Sequence, residues 1–196
     1  MTVIRRLSMH ARPKIGMASL APGLWPPEFS APSYSVSPEV GRRMRRGGKL
    51  PDRLPGTYLL RFDLDEPLCL DIGRLGQVPL SPGALYYVGS AFGPGGVAAR
   101  VNRHVAGTGR PHWHVDRVRA ERSVCEVWFS HAPMRLEHAW AERLLALVGA
   151  HSAAARFGAS DCRCLTHLVH FDRPLSRQRL VSEFGRDGAR RWVPTR

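Results

Sequence analysis

No apolar run in this chain approaches the roughly 18–20 residues that a membrane-spanning helix needs, which excludes a transmembrane-helix protein. The stretch from Leu20 to Pro27 is too short and too broken by proline for a secretory core, so a cytoplasmic location is expected. Cysteine is scarce: Cys69, Cys125, Cys162 and Cys164, with no export signal, argue against a disulfide framework and for reduced thiols. Lysine is nearly missing, with two Lys against 27 Arg. The Gly-rich stretch YYVGSAFGPGGVAARVNRH at 86–104 lacks both GK[ST] and a correctly spaced G-x-G-x-x-G, which excludes a P-loop and a dinucleotide fingerprint.

What is present is basic charge, unevenly placed. The net charge is +13, with 43% apolar and 8% aromatic residues, a globular composition. Residues 1–53 hold ten Lys/Arg against three Asp/Glu, and residues 173–196 hold seven against two. The middle, 54–172, holds twelve against eleven and is nearly neutral. The ends could attract phosphate without reading sequence, or could be solvated, Arg-biased tails. Histidine does the opposite, since eight of nine lie between His104 and His170.

Residues 1–53 are rich in Pro, Ser, Gly and Arg with no helical or strand period, and read as a disordered extension. The folded domain is expected over 54–172, with 173–196 a basic tail, partly helical. In GTYLLRFDL the residues Tyr58, Leu60, Phe62 and Leu64 alternate onto one strand face. LCLDIG is expected to return against it as a hairpin, QVPLSPG to be a loop, and ALYYVGSA to be a buried third strand. A helix follows to about Ala106. HWHVDRVRA and VCEVWFSHA are expected as strands, a second helix over about 134–148, and THLVHF as a closing strand. The fold class is α/β (α+β), a small mixed or antiparallel sheet flanked by helices.

Helical spacing then places the polar groups. Val97, Val101 and Val105 form a buried stripe, while Arg100 and His104 sit one turn apart on its flank. Arg103 is expected to face solvent. On the second helix Glu137 falls inside the apolar arc, where a carboxylate needs a cation, unless it serves the first turn of the helix.

In order, these pieces are Gly56-Thr57-Tyr58 on the first strand, Tyr87-Val88-Gly89 on the third, R-x3-H on a helix and Glu137 on the next. This order resembles the GIY-YIG nuclease superfamily over roughly 54–172. The HWHVD and SDCRC-x2-H segments look like a less-characterised branch of it. The resemblance implies a divalent-cation-dependent endonuclease. Tyr58 and Tyr87 would enter one groove, Arg100 would hold the scissile phosphate, and Glu137 would bind one Mg²⁺ or Mn²⁺. Tyr58 or His104 would be the general base. A structural zinc is not expected. Nucleic acid is the implied partner, DNA ahead of RNA, with a DNA-repair enzyme acting alongside and no membrane. Tyr58 and Tyr87 stand 29 residues apart, wider than the usual hairpin, so the QVPLSPG region reads as an insertion. The family's Asn beyond the Glu helix is missing, Asn102 being the only Asn.

His112, His114 and Asp116 alternate and would share one strand face, as metal ligands or as a plain polar edge. Trp113 reads as a core residue. Asp161 is a candidate brace for its loop. Cys162, Cys164 and His167 form C-x-C-x2-H, which is not a standard zinc spacing. These thiols read as buried small side chains, or as part of a four-ligand site completed by Cys125 or His170. Two other functions stay open beside the nuclease: a catalytically weak or inactive nucleic-acid-binding module of the same fold, and a redox or zinc-stabilised interaction protein.

Overall fold

A computed structural model describes residues 51–195. Of the expected extension over 1–53, all but Pro51–Arg53 lies outside the described residues.

Strand β1 (Gly56–Leu64) is buried along nearly its whole length and on both faces, so it lies inside the sheet with cover above and below. It has two partner strands, β4 (Gly83–Ala91) and β5 (Glu126–Ser130), both antiparallel. With β6 (His151–Ser152), β7 (Leu168–Phe171) and β8 (Arg190–Trp192) they make a six-stranded sheet, ordered β6-β7-β4-β1-β5-β8. All its pairings are antiparallel. The molecule is thus α/β, an antiparallel sheet carrying helices on both faces.

Alternation along the strands builds two cores. Tyr58, Leu60, Phe62, Leu85 and Tyr87 face one side and meet Val97 and Val101 of α1 (Gly96–Ala106). Leu59, Tyr86, Val88 and Trp128 face the other and meet Trp140 and Leu144 of α3 (Glu137–Leu145). Helix α3 is shorter than the span expected from its sequence.

Three expectations are corrected here. LCLDIG does not pair with β1. Its strand β2 (Leu68–Asp71) pairs with β3 (Gln77–Leu80), inside the segment expected as a loop. Both edges of β1 are taken by β4 and β5, and only Leu70 of β2 is buried. The β2–β3 hairpin instead lays Leu70, Val78 and Leu80 on the first core.

HWHVDRVRA is not a strand. The Asp116 carboxylate accepts from the backbone N–H groups of His112 (2.7 Å) and Trp113 (3.0 Å), which closes a turn. Helix α2 (Val115–Glu121) leaves that turn with Val115 and Val118 buried on one face.

Residues 173–195 are not a tail. Ser176 caps α4 (Arg177–Phe184) by accepting from the Arg179 N–H, while Leu180 and Phe184 enter the second core. The chain then returns as β8 beside β5. Helical and strand spacing let the arginines of this segment stay exposed while its apolar residues pack.

The Gly-rich turn serves α1. Gly96 has φ +56°, and a Cβ there would sit 2.2 Å from the Leu54 carbonyl oxygen. That close approach lets the N–H groups of Val97 and Ala98 donate to the carbonyls of Leu54 (2.9 Å) and Asp52 (3.1 Å). These first-turn amides are spent within the chain, so the turn offers little to cradle a phosphate. Among the described residues no helix is long and apolar enough to cross a membrane.

Candidate active site

The β1–β4 register sets Tyr58 opposite Gly89 and Leu60 opposite Tyr87. A Cβ on Gly89 would lie 2.5 Å from the Tyr58 ring, so the glycine of Tyr87-Val88-Gly89 is the space in which Tyr58 rests. The two tyrosine rings then stand 6.5 Å apart between centroids. Both line a pocket of about 240 Å³, together with Arg100 of α1 and Glu137 of α3.

Trp113, Arg135 and Asp161 line the same pocket. The Arg100 guanidinium carbon lies 4.0 Å from the Trp113 ring centre and that of Arg103 lies 4.4 Å from it, so the indole is held by two cations. Trp113 is only partly buried, and pocket wall describes it better than core. Arg103 does not face solvent as expected. It donates to both Asp116 oxygens at 3.2 Å, because a carboxylate buried to 1% exposure requires cations around it.

Behind Tyr58 runs a chain of three buried groups. The Tyr58 hydroxyl is 3.1 Å from His104 Nε2, and His104 Nδ1 is 3.6 Å from Asp116 Oδ1. Arg119 adds a 2.8 Å bond to Asp116. Burial alone would raise the pKa of Asp116, but His104, Arg119, Arg103 and the two backbone amides hold it far below the usual carboxylate range. Burial lowers the pKa of His104, with Asp116 opposing. The imidazole is therefore neutral near pH 7. The facing carboxylate favours the Nδ1–H tautomer, which leaves Nε2 to accept from Tyr58. Burial, reinforced by Tyr87 and partly offset by Arg100, raises the Tyr58 pKa well above 10, so Tyr58 is a protonated donor. Tyr58 lines the pocket while the His104 side chain lies wholly behind it.

Thr57 points to the opposite face from Tyr58. Its Oγ1 accepts from the Leu136 N–H at 3.1 Å and so seats the start of α3, one residue before Glu137. Glu137 thereby occupies both places weighed for it, the first turn of α3 and the wall of the pocket. Burial works to raise its pKa, but His167, Ser90 and the charge of the neighbouring imidazoles hold it below the ordinary value. It is an ionised carboxylate at neutral pH. His167 Nδ1 lies 3.2 Å from its Oε1.

The remaining candidates separate. His112, His114 and Asp116 share no face, because they lie on a turn and a helix. His112 is exposed against Trp113, while His114 Nδ1 accepts from the Gly158 N–H at 3.0 Å. Cys162, Cys164 and His167 do converge, but neither Cys125 nor His170 completes them. The Cys125 thiol turns to the Ser123 carbonyl and His170 Nε2 to the Pro82 carbonyl. The fourth member is His138, and all four ligand atoms lie within 4.8 Å of one another. Burial, with the Cys162 thiol beside it, pushes the Cys164 thiol up to about 11.

His138 and Arg135 went unnoticed in the sequence, although both flank Glu137 in MRLEH. Arg135 donates to Ser90 Oγ at 3.3 Å and lies over Phe92, adding a second cation to the pocket rim.

Fold and site together define an α/β protein whose antiparallel sheet presents two tyrosines to a pocket walled by arginine and glutamate. Residues 57–189 match a family described as a domain of unknown function, DUF123, and the chain belongs to that family. No curated protein and no solved structure matches it.

Proposed function

We propose that this pocket hydrolyses phosphodiester bonds in nucleic acid, DNA ahead of RNA, as a GIY-YIG-like endonuclease. The observation that carries the reading is the meeting of Tyr58, Tyr87, Arg100 and Glu137 around one cavity, although they come from four different elements. Residues so far apart in sequence have no packing reason to gather their polar ends in one place.

Arg100 and Arg135 bind the phosphoryl oxygens and offset the charge that grows as phosphorus becomes five-coordinate. Trp113 packs against the Arg100 guanidinium and holds it at the pocket wall. Tyr58 takes a proton from the attacking water as its own proton passes to His104 Nε2. The water oxygen then bonds to phosphorus as the P–O bond to the leaving oxygen breaks on the opposite side, and that oxygen takes a proton from solvent. Asp116 offsets the charge of the imidazolium so formed. This relay suits a phenol whose own pKa is too high to lose a proton unaided.

The donor set fits a hard divalent cation: Glu137 is ionised, partly exposed and directed to the pocket. When held there, Mg²⁺ or Mn²⁺ supplies positive charge to the phosphoryl group.

The test is divalent-cation-dependent nicking of supercoiled, branched and single-stranded DNA, with RNA in parallel. Activity in the wild-type chain that disappears in Tyr58→Phe, Arg100→Ala and Glu137→Ala supports the reading. Tight binding of all these substrates without cleavage would instead mark a binding module.

A further inference from the structure

The sequence spacing of Cys162, Cys164 and His167 matches no standard zinc pattern, but spacing describes only ligands that are neighbours in the chain. Helix α3 brings His138 to the same point from 24 residues upstream of Cys162. The result is two thiols and two imidazoles whose ligand atoms all lie within 4.8 Å. A tetrahedron with arms of about 2.0–2.3 Å has edges of roughly 3.3–3.8 Å, the spacing that zinc imposes on sulfur and nitrogen. Cys162 Sγ and His167 Nε2 stand 3.4 Å apart, already at that edge length. The His138 and His167 rings are 5.7 Å apart between centroids, so neither imidazole blocks the other.

The loop is built to aim these groups. Arg156 is the only non-glycine with positive φ among the described residues, at 64°. Its guanidinium donates to the carbonyls of Cys162 (2.6 Å) and Cys164 (3.3 Å), and its own N–H donates to the Leu165 carbonyl. The His167 N–H is held by the Phe157 carbonyl at 2.8 Å. Backbone strain together with a buried histidine is a poor use of a loop that only packs thiols.

His167 also decides its own tautomer. Nδ1 faces Glu137 Oε1 at 3.2 Å, while Nε2 faces the thiols. A carboxylate behind one ring nitrogen leaves the other as the ligand, the arrangement that outer carboxylates give to metal-bound histidines.

We propose that His138, Cys162, Cys164 and His167 bind one Zn²⁺, and that His167 joins this metal to Glu137 and fixes that carboxylate at the pocket wall. Two thiolates and two neutral imidazoles leave the site formally neutral, and this soft S₂N₂ set selects zinc over the hard cations that Glu137 suits. The zinc would be structural, closed by four protein ligands. It is separate from any cation at the pocket, and its binding is readable whether or not the pocket cleaves nucleic acid.

The full chain, purified reduced and reconstituted with Zn²⁺, should hold about one zinc per chain by elemental analysis. Replacement by Co²⁺ should give the thiolate charge-transfer and ligand-field bands of a tetrahedral S₂N₂ centre. His138→Ala removes an exposed ligand that the core does not need, and it should weaken zinc at least about tenfold in a competing-chelator titration while the fold persists. Cys162→Ser should weaken the charge-transfer band, leaving the share of Cys164, and the double variant with Cys164→Ser should abolish it. Glu137→Gln should weaken zinc by roughly 10- to 100-fold, through loss of the carboxylate behind His167. Folded, reduced protein without stoichiometric zinc, or an octahedral Co²⁺ spectrum, would overturn the site. Unchanged zinc affinity in Glu137→Gln would overturn the link to the pocket.

Discussion

Tyr86 and Tyr87 are neighbours in sequence, and the sheet sends them to opposite faces. Tyr86 is fully buried in the second core, edge-on to Phe171, and its hydroxyl accepts from the Leu175 N–H at 2.8 Å. Burial pushes its pKa up to about 12. Tyr87 reaches the pocket, where burial together with Glu137 raises its pKa further, against Arg100. Each hydroxyl sits where a polar group is needed, but one ties down the chain before α4 and the other faces a cavity. The pocket tyrosine and the packing tyrosine are thus separated by the sheet itself. The packing face holds its own polar ties: the Trp140 indole and Arg143 both donate to Asp187, joining α3 to the turn before β8.

The largest expected effect is on the pocket face. Tyr58→Phe or His104→Gln should reduce nicking by about 10²–10⁴-fold, the usual worth of a positioned proton carrier. Circular dichroism should show the fold retained. Tyr86→Phe tests the comparison directly, because it removes the neighbouring hydroxyl and should leave nicking within a factor of about two.

Next comes a break on the packing face. Trp140 is fully buried against Phe184, so Trp140→Ala should cost about 3–5 kcal/mol in denaturant unfolding. Loss of nicking there should follow the unfolded fraction and no more.

Tyr86→Phe is also the third case. It leaves the Leu175 N–H without its acceptor, which costs about 1–2 kcal/mol. A melting temperature unchanged from wild type would contradict the role assigned to that hydroxyl.

The smallest effect is in pH. Burial holds the folded pKa of His104 below the ordinary imidazole value of about 6.5, so below that pH the unfolded chain binds the extra proton first. Stability should therefore decline as pH falls through about 6.5, by up to about 1.4 kcal/mol per pH unit for one proton. Asp116 is shifted in the same direction, although there the fold favours the charged form. Its folded pKa is depressed, so its contribution is present above about pH 4 and is lost on further acidification. Melting temperatures from pH 8 to pH 3 should show both steps, and His104→Gln should shrink the upper one, leaving the share of His114, whose pKa burial also lowers.

The sequence made legible what strand and helix periods control. Alternation in GTYLLRFDL put Tyr58 with Leu60 and Phe62 on one face, and helical spacing put Arg100 beside His104. It did not reveal which strands pair. LCLDIG pairs with β3 because β4 and β5, both further along the chain, take the two edges of β1. HWHVD looked extended because its polar residues alternate, but Asp116 accepts two backbone amides and turns the chain. Arg103 turned inward for the same carboxylate. The charged 173–196 segment hid its core residues, Leu180, Phe184 and Trp192, among arginines. The nearness of His138 to the two cysteines was invisible because they lie beyond a whole helix and loop. Each of these depends on a contact distant in sequence, which no local period encodes.

The register of β1 on β4 runs unbroken from Gly56 opposite Ala91 to Leu64 opposite Gly83. Everything between Leu64 and Gly83 is thus an outgrowth from the end of a ladder, and the distance along the chain between the two tyrosines is a free parameter. A shorter or longer excursion there would alter the first core, but Tyr58 and Gly89 would still face each other. The tip of the β2–β3 hairpin at Gly73 and Gly76, where an added Cβ would meet nothing within 4 Å, is therefore the natural place to graft a new binding arm without retuning the pocket.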